Sequence, residues 1–110
     1  MNIEDLVAYG ANVEEGLSRC MGNEGFYLRM VETVRSDEGY DTLQAAVSEG
    51  RLGDAFEAAH ALKGALSNLA ITPLSEPVSE ITELLRSETD MDYSALMATI
   101  MQKRDELRAL

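Results

Sequence analysis

The sequence predicts an all-α domain: an antiparallel up-down four-helix bundle with short additional helices at its N-terminal end. Three observations carry that expectation. Apolar residues recur at helical spacing along nearly the whole chain. There is no sustained period-two stretch and no Asn-Gly or Asp-Gly hairpin signal. The longest helical segments are joined by short connections, so neighbours should run antiparallel. The 110 residues suffice for one compact domain, spanning 1–110, and not for two. No linker, internal repeat or low-complexity segment interrupts them.

Ile3 to Tyr9 forms a short opening helix, ended by Gly10. Asn12 caps a second short helix carrying Val13, Leu17 and Met21, with Gly22 just past its end. Asn23 caps a third, in which Phe26, Met30 and Val34 make an i, i+4, i+8 row that Tyr27 and Val31 widen. Ser36-Asp37-Glu38-Gly39 reads as a turn. Asp41 is the expected cap of a helix with Leu43, Ala46 and Val47 inward and Gly50 as its stop. A longer, alanine-rich helix starts between Gly50 and Asp54 and runs to about Ala70, where Ile71-Thr72-Pro73 breaks it. The next helix turns Leu74, Val78, Ile81 and Leu85 inward. Two starts are open to it: Thr72 as cap with Pro73 in first position, which leaves Pro77 inside the helix, or Ser75 as cap, which does not. Ser87 to Asp92 is an acidic turn. Asp92 is the expected cap of the last helix, which buries Tyr93, Leu96, Met97, Ile100, Met101 and Leu107.

Charge and composition exclude several functions. Twenty acidic and nine basic side chains give a formal net charge of -11. Nucleic-acid binding requires a basic face to displace counterions from phosphate, and an anionic membrane surface would repel this chain. No apolar run is long enough to span a bilayer, and the first residues lack the basic and apolar regions of a secretory signal. A single cysteine, Cys20, rules out an internal disulfide and a cysteine-rich zinc site, and it fits a reducing, cytoplasmic setting. A single histidine, His60, rules out imidazole-cluster metal sites; no metal or cofactor is expected on the chain.

The informative segment is Asp54 to Leu69. On a helical wheel with about 100° per residue and His60 at zero, Leu62, Leu66, Leu69, Ala55 and Ala58 fall within about 60° of the opposite pole. They are the expected core stripe. Phe56, Glu57, Lys63, Gly64 and Ser67 share the side of His60. Wheel position alone is satisfied by an idle surface histidine, and two neighbours change that weighting. Lys63, one turn on, is positioned to steady an anion beside the imidazole. Gly64, at i+4, costs about 0.5–1 kcal/mol relative to alanine in a helix interior, and it leaves room for another molecule to approach. A neutral imidazole is a competent nucleophile near pH 7 and accepts a phosphoryl group on a ring nitrogen. The chain has neither a glycine-rich phosphate loop nor a Walker lysine, so it is not expected to recruit ATP. Nothing forms a clear Mg²⁺ site beside His60, so metal and second acceptor would come from a partner.

His60-Ala61-Leu62-Lys63-Gly64, preceded by Ala58-Ala59 and followed by Asn68-Leu69, resembles the motif of histidine-containing phosphotransfer (HPt) domains. The stretch from Val13 to Leu28 is similar to the helices that open many such domains. The resemblance implies that His60 is phosphorylated, that Lys63 contacts the phosphoryl group and that Gly64 gives access. Phe56, Glu57, Ser67 and Asn68 around them are the expected partner contacts. The implied partner is a response-regulator receiver domain, carrying its own aspartate and Mg²⁺, or a hybrid histidine kinase; the chain itself is expected to be a monomer without autonomous kinase activity. One departure is Ala70, where the family often has glycine at the helix end. His60 is not followed by an acidic residue, unlike the dimerisation helices of ordinary sensor kinases.

Three other readings compete. An HPt-like module that binds a receiver without passing phosphate would look the same in sequence. So would the detached phosphoacceptor domain of a chemotaxis-type kinase, although Met1 and the lack of a linker favour a free-standing protein. An enzyme using Cys20 as nucleophile would need His60 nearby as base, and Cys20 instead lies in the apolar row with Leu17 and Met21, as a buried structural thiol does.

Overall fold

A computed structural model describes all residues, Met1–Leu110. Seven helices follow one another: α1 (Ile3–Tyr9), α2 (Val13–Arg19), α3 (Glu24–Arg35), α4 (Gly39–Ser48), α5 (Leu52–Asn68), α6 (Thr72–Arg86) and α7 (Ser94–Arg108). The chain contains no strand. Helix α5 packs against α4 and α6, α6 against α7, and α4 against α7, which closes a four-helix ring. Three-residue connections before and after α5 turn the chain straight back at each end, as an up-down bundle requires. Helix α3 lies against α5 and α7, and α1 and α2 are the short additional helices. No helix is long and apolar enough to cross a membrane.

The caps expected at Asn12 and Asn23 are in place, and Asn2, for which no cap role was expected, caps α1. The side chains of Asn2, Asn12 and Asn23 accept hydrogen bonds from the backbone N–H groups of Asp5, Glu15 and Phe26, satisfying donors that the first helical turn leaves free. Two later starts differ from expectation. Helix α4 begins at Gly39, with Glu38 in the cap position, so Asp41 lies inside the first turn and does not cap. Asp37 holds the entrance instead, its carboxylate accepting from the Gly39 N–H at 2.6 Å. Helix α7 starts at Ser94, and Asp92 accepts from that residue's N–H and hydroxyl without standing in the cap position itself. Helix α6 starts early, as the first of its two open starts has it, but one residue sooner still: Ile71 stands in the cap position, Thr72 is already helical and does not cap, Pro73 is in the first turn and Pro77 lies within the helix.

The core is one cluster of 23 buried side chains. Tyr27, Val31 and Val34 are the buried face of α3, whereas Phe26 and Met30 are 42% and 38% exposed. The apolar row is therefore right in period and wrong in orientation: α3 turns the Tyr27 side inward because the Tyr27 hydroxyl finds an acceptor there, the Leu69 carbonyl at 3.0 Å. Met21 also departs from expectation. Helix α2 ends at Arg19, and Met21 takes a left-handed φ of 56° and is 88% exposed. Cys20, beside it, is buried. Val47, Leu96 and Met101 are only partly buried.

The far end of α5 is tied down by three elements. The Arg19 guanidinium donates to the Ser67 carbonyl at 2.5 Å, Tyr27 to that of Leu69, and the Asn12 N–H to that of Ala70 at 2.9 Å. These bonds satisfy carbonyls that a helix end leaves without partners. Gly16 makes the approach possible: a Cβ there would lie 2.5 Å from Tyr27 Cε1 and 2.6 Å from the Leu69 carbonyl oxygen.

Candidate functional site

His60 stands at the middle of α5 and is exposed. The buried residues of that helix are Ala55, Ala59, Leu62 and Leu66, followed by Leu69 just past its end. Ala58, expected in the stripe, is only partly buried, and Ala59 takes its place. The centre of the buried stripe therefore lies about 40° from the pole opposite His60. Gly64 then lies at the outward pole, and Phe56 and Lys63 move to the flank that meets α6.

That flank carries an ordered set of contacts. The Phe56 ring stacks on the His60 imidazole with centroids 5.4 Å apart and planes inclined by 14°. The Arg86 guanidinium of α6 lies over the same Phe56 ring, 5.0 Å from its centroid. Glu83, also on α6, bridges two cations. One carboxylate oxygen accepts from Lys63 Nζ at 3.2 Å and the other from Arg86 Nε at 3.2 Å. The hydrogen bond from Lys63, and then that from Arg86, hold the Glu83 carboxyl below the usual carboxylate range. One side of the imidazole is thereby covered by the Phe56 ring, with Arg86 over that ring and Lys63 one turn along α5, both cations bonded to Glu83.

The other side is open. A Cβ at Gly64 would meet nothing within 4 Å, and the same holds at Gly53, two turns before His60. Glu57 is exposed and enters no ion pair. Ser67 and Asn68 are exposed further along, and Asn68 and Ala65 line a shallow recess with Met30 and Thr33 of α3. The structure therefore brings His60, Phe56, Lys63 and Gly64 together, puts Glu57 at their margin, and places Asn68 beside α3. Sequence reasoning missed Glu83, Arg86 and Met30. The i, i+3 spacing of Glu83 and Arg86 on the polar side of α6 was a readable sign of a pair, but not of its partner on another helix.

No three His, Cys, Asp or Glu side chains come together as a group able to hold a metal ion. What remains chemically is a single accessible nucleophile beside paired cations, on a surface with room for a second macromolecule.

The family model of the Hpt domain matches residues 31–110, from the middle of α3 through α7. No curated protein and no solved structure matches the chain. The matched span holds His60, its neighbours and the whole four-helix ring, and on that ground the chain belongs to the Hpt domain family, the histidine phosphotransfer modules of two-component signalling.

Proposed function

We propose that the protein is a phosphorelay carrier in which His60 accepts a phosphoryl group from the aspartate of a response-regulator receiver domain and donates it onward or back. The observation that carries this reading is the placement of the chain's one imidazole, exposed at the middle of α5 with open space at Gly64 and two cations on the flank. A ring nitrogen of neutral His60 attacks phosphorus. The N–P bond forms as the acyl O–P bond breaks, and the partner's aspartate leaves as a carboxylate. Transfer of this kind is mostly positioning and charge neutralisation. Phe56, stacked on the imidazole, limits its rotation; Lys63 supplies positive charge to the phosphoryl oxygens; Gly64 admits the partner. Phe56, Glu57, Ser67 and Asn68 form the contact surface, extended by Met30. Mg²⁺ would be held by the receiver, not by this chain, and would there supply charge neutralisation for the transferring group. The hybrid histidine kinase that loads such a receiver is a further partner, and the expected setting is the cytoplasm, with the chain acting as a monomer.

The test is incubation with a receiver prephosphorylated on aspartate. Label should move to the chain as an acid-labile, base-stable phosphoramidate, and His60→Gln should abolish it. The chain with ATP and Mg²⁺ alone should remain unlabelled. Binding of the receiver without label transfer would reduce the protein to an interaction module. Label in His60→Gln would refute the assignment of the acceptor.

A further inference from the structure

We propose that Glu83 is a positioning residue that acts as the resident counter-ion of the phosphoryl seat: its carboxylate holds Lys63 and Arg86 until a phosphoryl group on His60 takes them over. The inference rests on the phosphoacceptor reading of His60 and goes beyond it, because Glu83 lies on a different helix and is bonded to Lys63 and Arg86 rather than to the imidazole.

The geometry gives the argument. Lys63 is the one lysine on the His60 face of α5, and its ammonium is bonded to Glu83 at 3.2 Å. Arg86 is held by the other oxygen of the same carboxylate while it covers the ring that stacks on His60. Both cations of this flank are thus spoken for by one anion. The cluster of Lys63, Arg86 and Glu83 carries a net charge of +1. An incoming phosphoryl group carries close to two negative charges and competes with a carboxylate that carries one. All three side chains remain partly exposed, so exchange of partners is cheap: an exposed ion pair contributes little, and its side chains stay free to move. Before transfer, Glu83 keeps the two cations gathered beside His60. After transfer, it is the group displaced. Its removal leaves the cluster at +2 and frees Lys63 for an anionic donor.

A small-molecule donor tests this without any partner protein. Phosphoramidate transfers its phosphoryl group to an imidazole nitrogen: its N–P bond breaks, ammonia departs, and a new N–P bond forms on the histidine. Labelling of the full chain should be followed by ³¹P NMR for the parent, Glu83→Gln, Lys63→Met and the double variant, with Glu80→Gln as a control. Glu80 is exposed on α6 one turn before Glu83 and enters no ion pair, so its substitution removes the same charge without releasing either cation. Glu83→Gln should be labelled about threefold faster than the parent, the scale of one exposed ion pair. That gain should be lost in the Lys63→Met background, and Glu80→Gln should not reproduce it. Equal labelling rates for parent and Glu83→Gln, or a gain that persists without Lys63, would overturn the role of Glu83 while leaving His60 as acceptor. A parent that takes no label, or a His60→Gln variant that takes it equally, would overturn the phosphoacceptor reading itself. Glu83 is exposed and its glutamine form has the same shape, so loss of the fold does not obscure the outcome.

Discussion

Substitution at Gly64 should move stability and phosphotransfer in opposite directions. The glycine lies inside α5 with ordinary helical backbone, and a Cβ there meets nothing within 4 Å. Alanine would cost no contact and would reduce the freedom of the unfolded chain, so Gly64→Ala should stabilise the fold by about 0.5–1 kcal/mol. For a domain of this size that is about 2–8 °C in Tm. Gly53 gives an internal comparison: it is on the same helix, equally open, and about 10 Å from His60 along the axis at 1.5 Å per residue. Gly53→Ala should give a similar rise. Function separates the two positions. Transfer needs the partner's phosphoryl group within about 3–3.5 Å of the imidazole, and a displacement of about 1 Å can lower the rate about 10²-fold. Gly64 stands one turn from His60 at the outward pole of the wheel, so a side chain there occupies the path of approach. Gly64→Gln should melt no lower than the parent and transfer phosphate about 10²-fold more slowly, Gly64→Ala should lose less, and Gly53→Ala should transfer nearly as the parent does. The assay is a thermal melt beside a transfer time course with a phosphorylated receiver. Normal transfer in Gly64→Gln would refute the access argument. A large loss of stability in Gly64→Ala would refute the orientation of α5.

Gly16→Ala should destabilise the fold by about 1–3 kcal/mol despite the better helix former, because its Cβ would press on Tyr27 and the Leu69 carbonyl; a urea melt with an unchanged midpoint would show that α2 is not seated there. Ala70→Gly should raise stability by up to about 1 kcal/mol, since Ala70 holds a left-handed φ of 55° in which a Cβ is strained, and a lower urea midpoint would show that the lost side chain matters more. Burial pushes the Tyr9, Tyr27 and Tyr40 hydroxyls above their usual value, so the folded state disfavours their ionisation. Their contribution is complete below pH 10 and is lost as pH rises through the folded values; Tm should therefore fall above pH 10 together with late tyrosinate absorbance, and early ionisation with Tm unchanged would contradict this.

What the sequence displayed of the fold was whatever depends on near neighbours. The asparagine caps at Asn2, Asn12 and Asn23 act within three residues, and Asn12 and Asn23 could be picked out on that basis. The helix stops were less legible. Helices α2, α5 and α6 all end with the paired backbone bonds of a Schellman turn, yet the left-handed residues are Met21, Ala70 and Glu88. Glycine at those positions would have announced the stop. A residue that bears the strain because later packing compensates gives no local sign. The orientation of α3 was hidden for a related reason: Phe26 and Tyr27 are equally suited to a core by hydrophobicity, and the choice between them was made by the Leu69 carbonyl, 42 residues further on.

The candidate site divides along the same line. Phe56, Lys63 and Gly64 each lie within four residues of His60 along α5, and helical periodicity alone assembles them. How α5 packs between α4 and α6 turns its buried stripe about 40° off the pole opposite His60, and this decides that Phe56 and Lys63 face α6 while Gly64 faces out. Only that turn brings Lys63 to Glu83, twenty residues away, and lays Arg86 over Phe56. The nucleophile is thus a local property of one helix, whereas its electrostatic setting belongs to the contact between two. Changes at His60 should remove the chemistry outright. Changes on α6 should tune it, because α6 supplies charge and packing to a reaction whose acceptor atom belongs to α5.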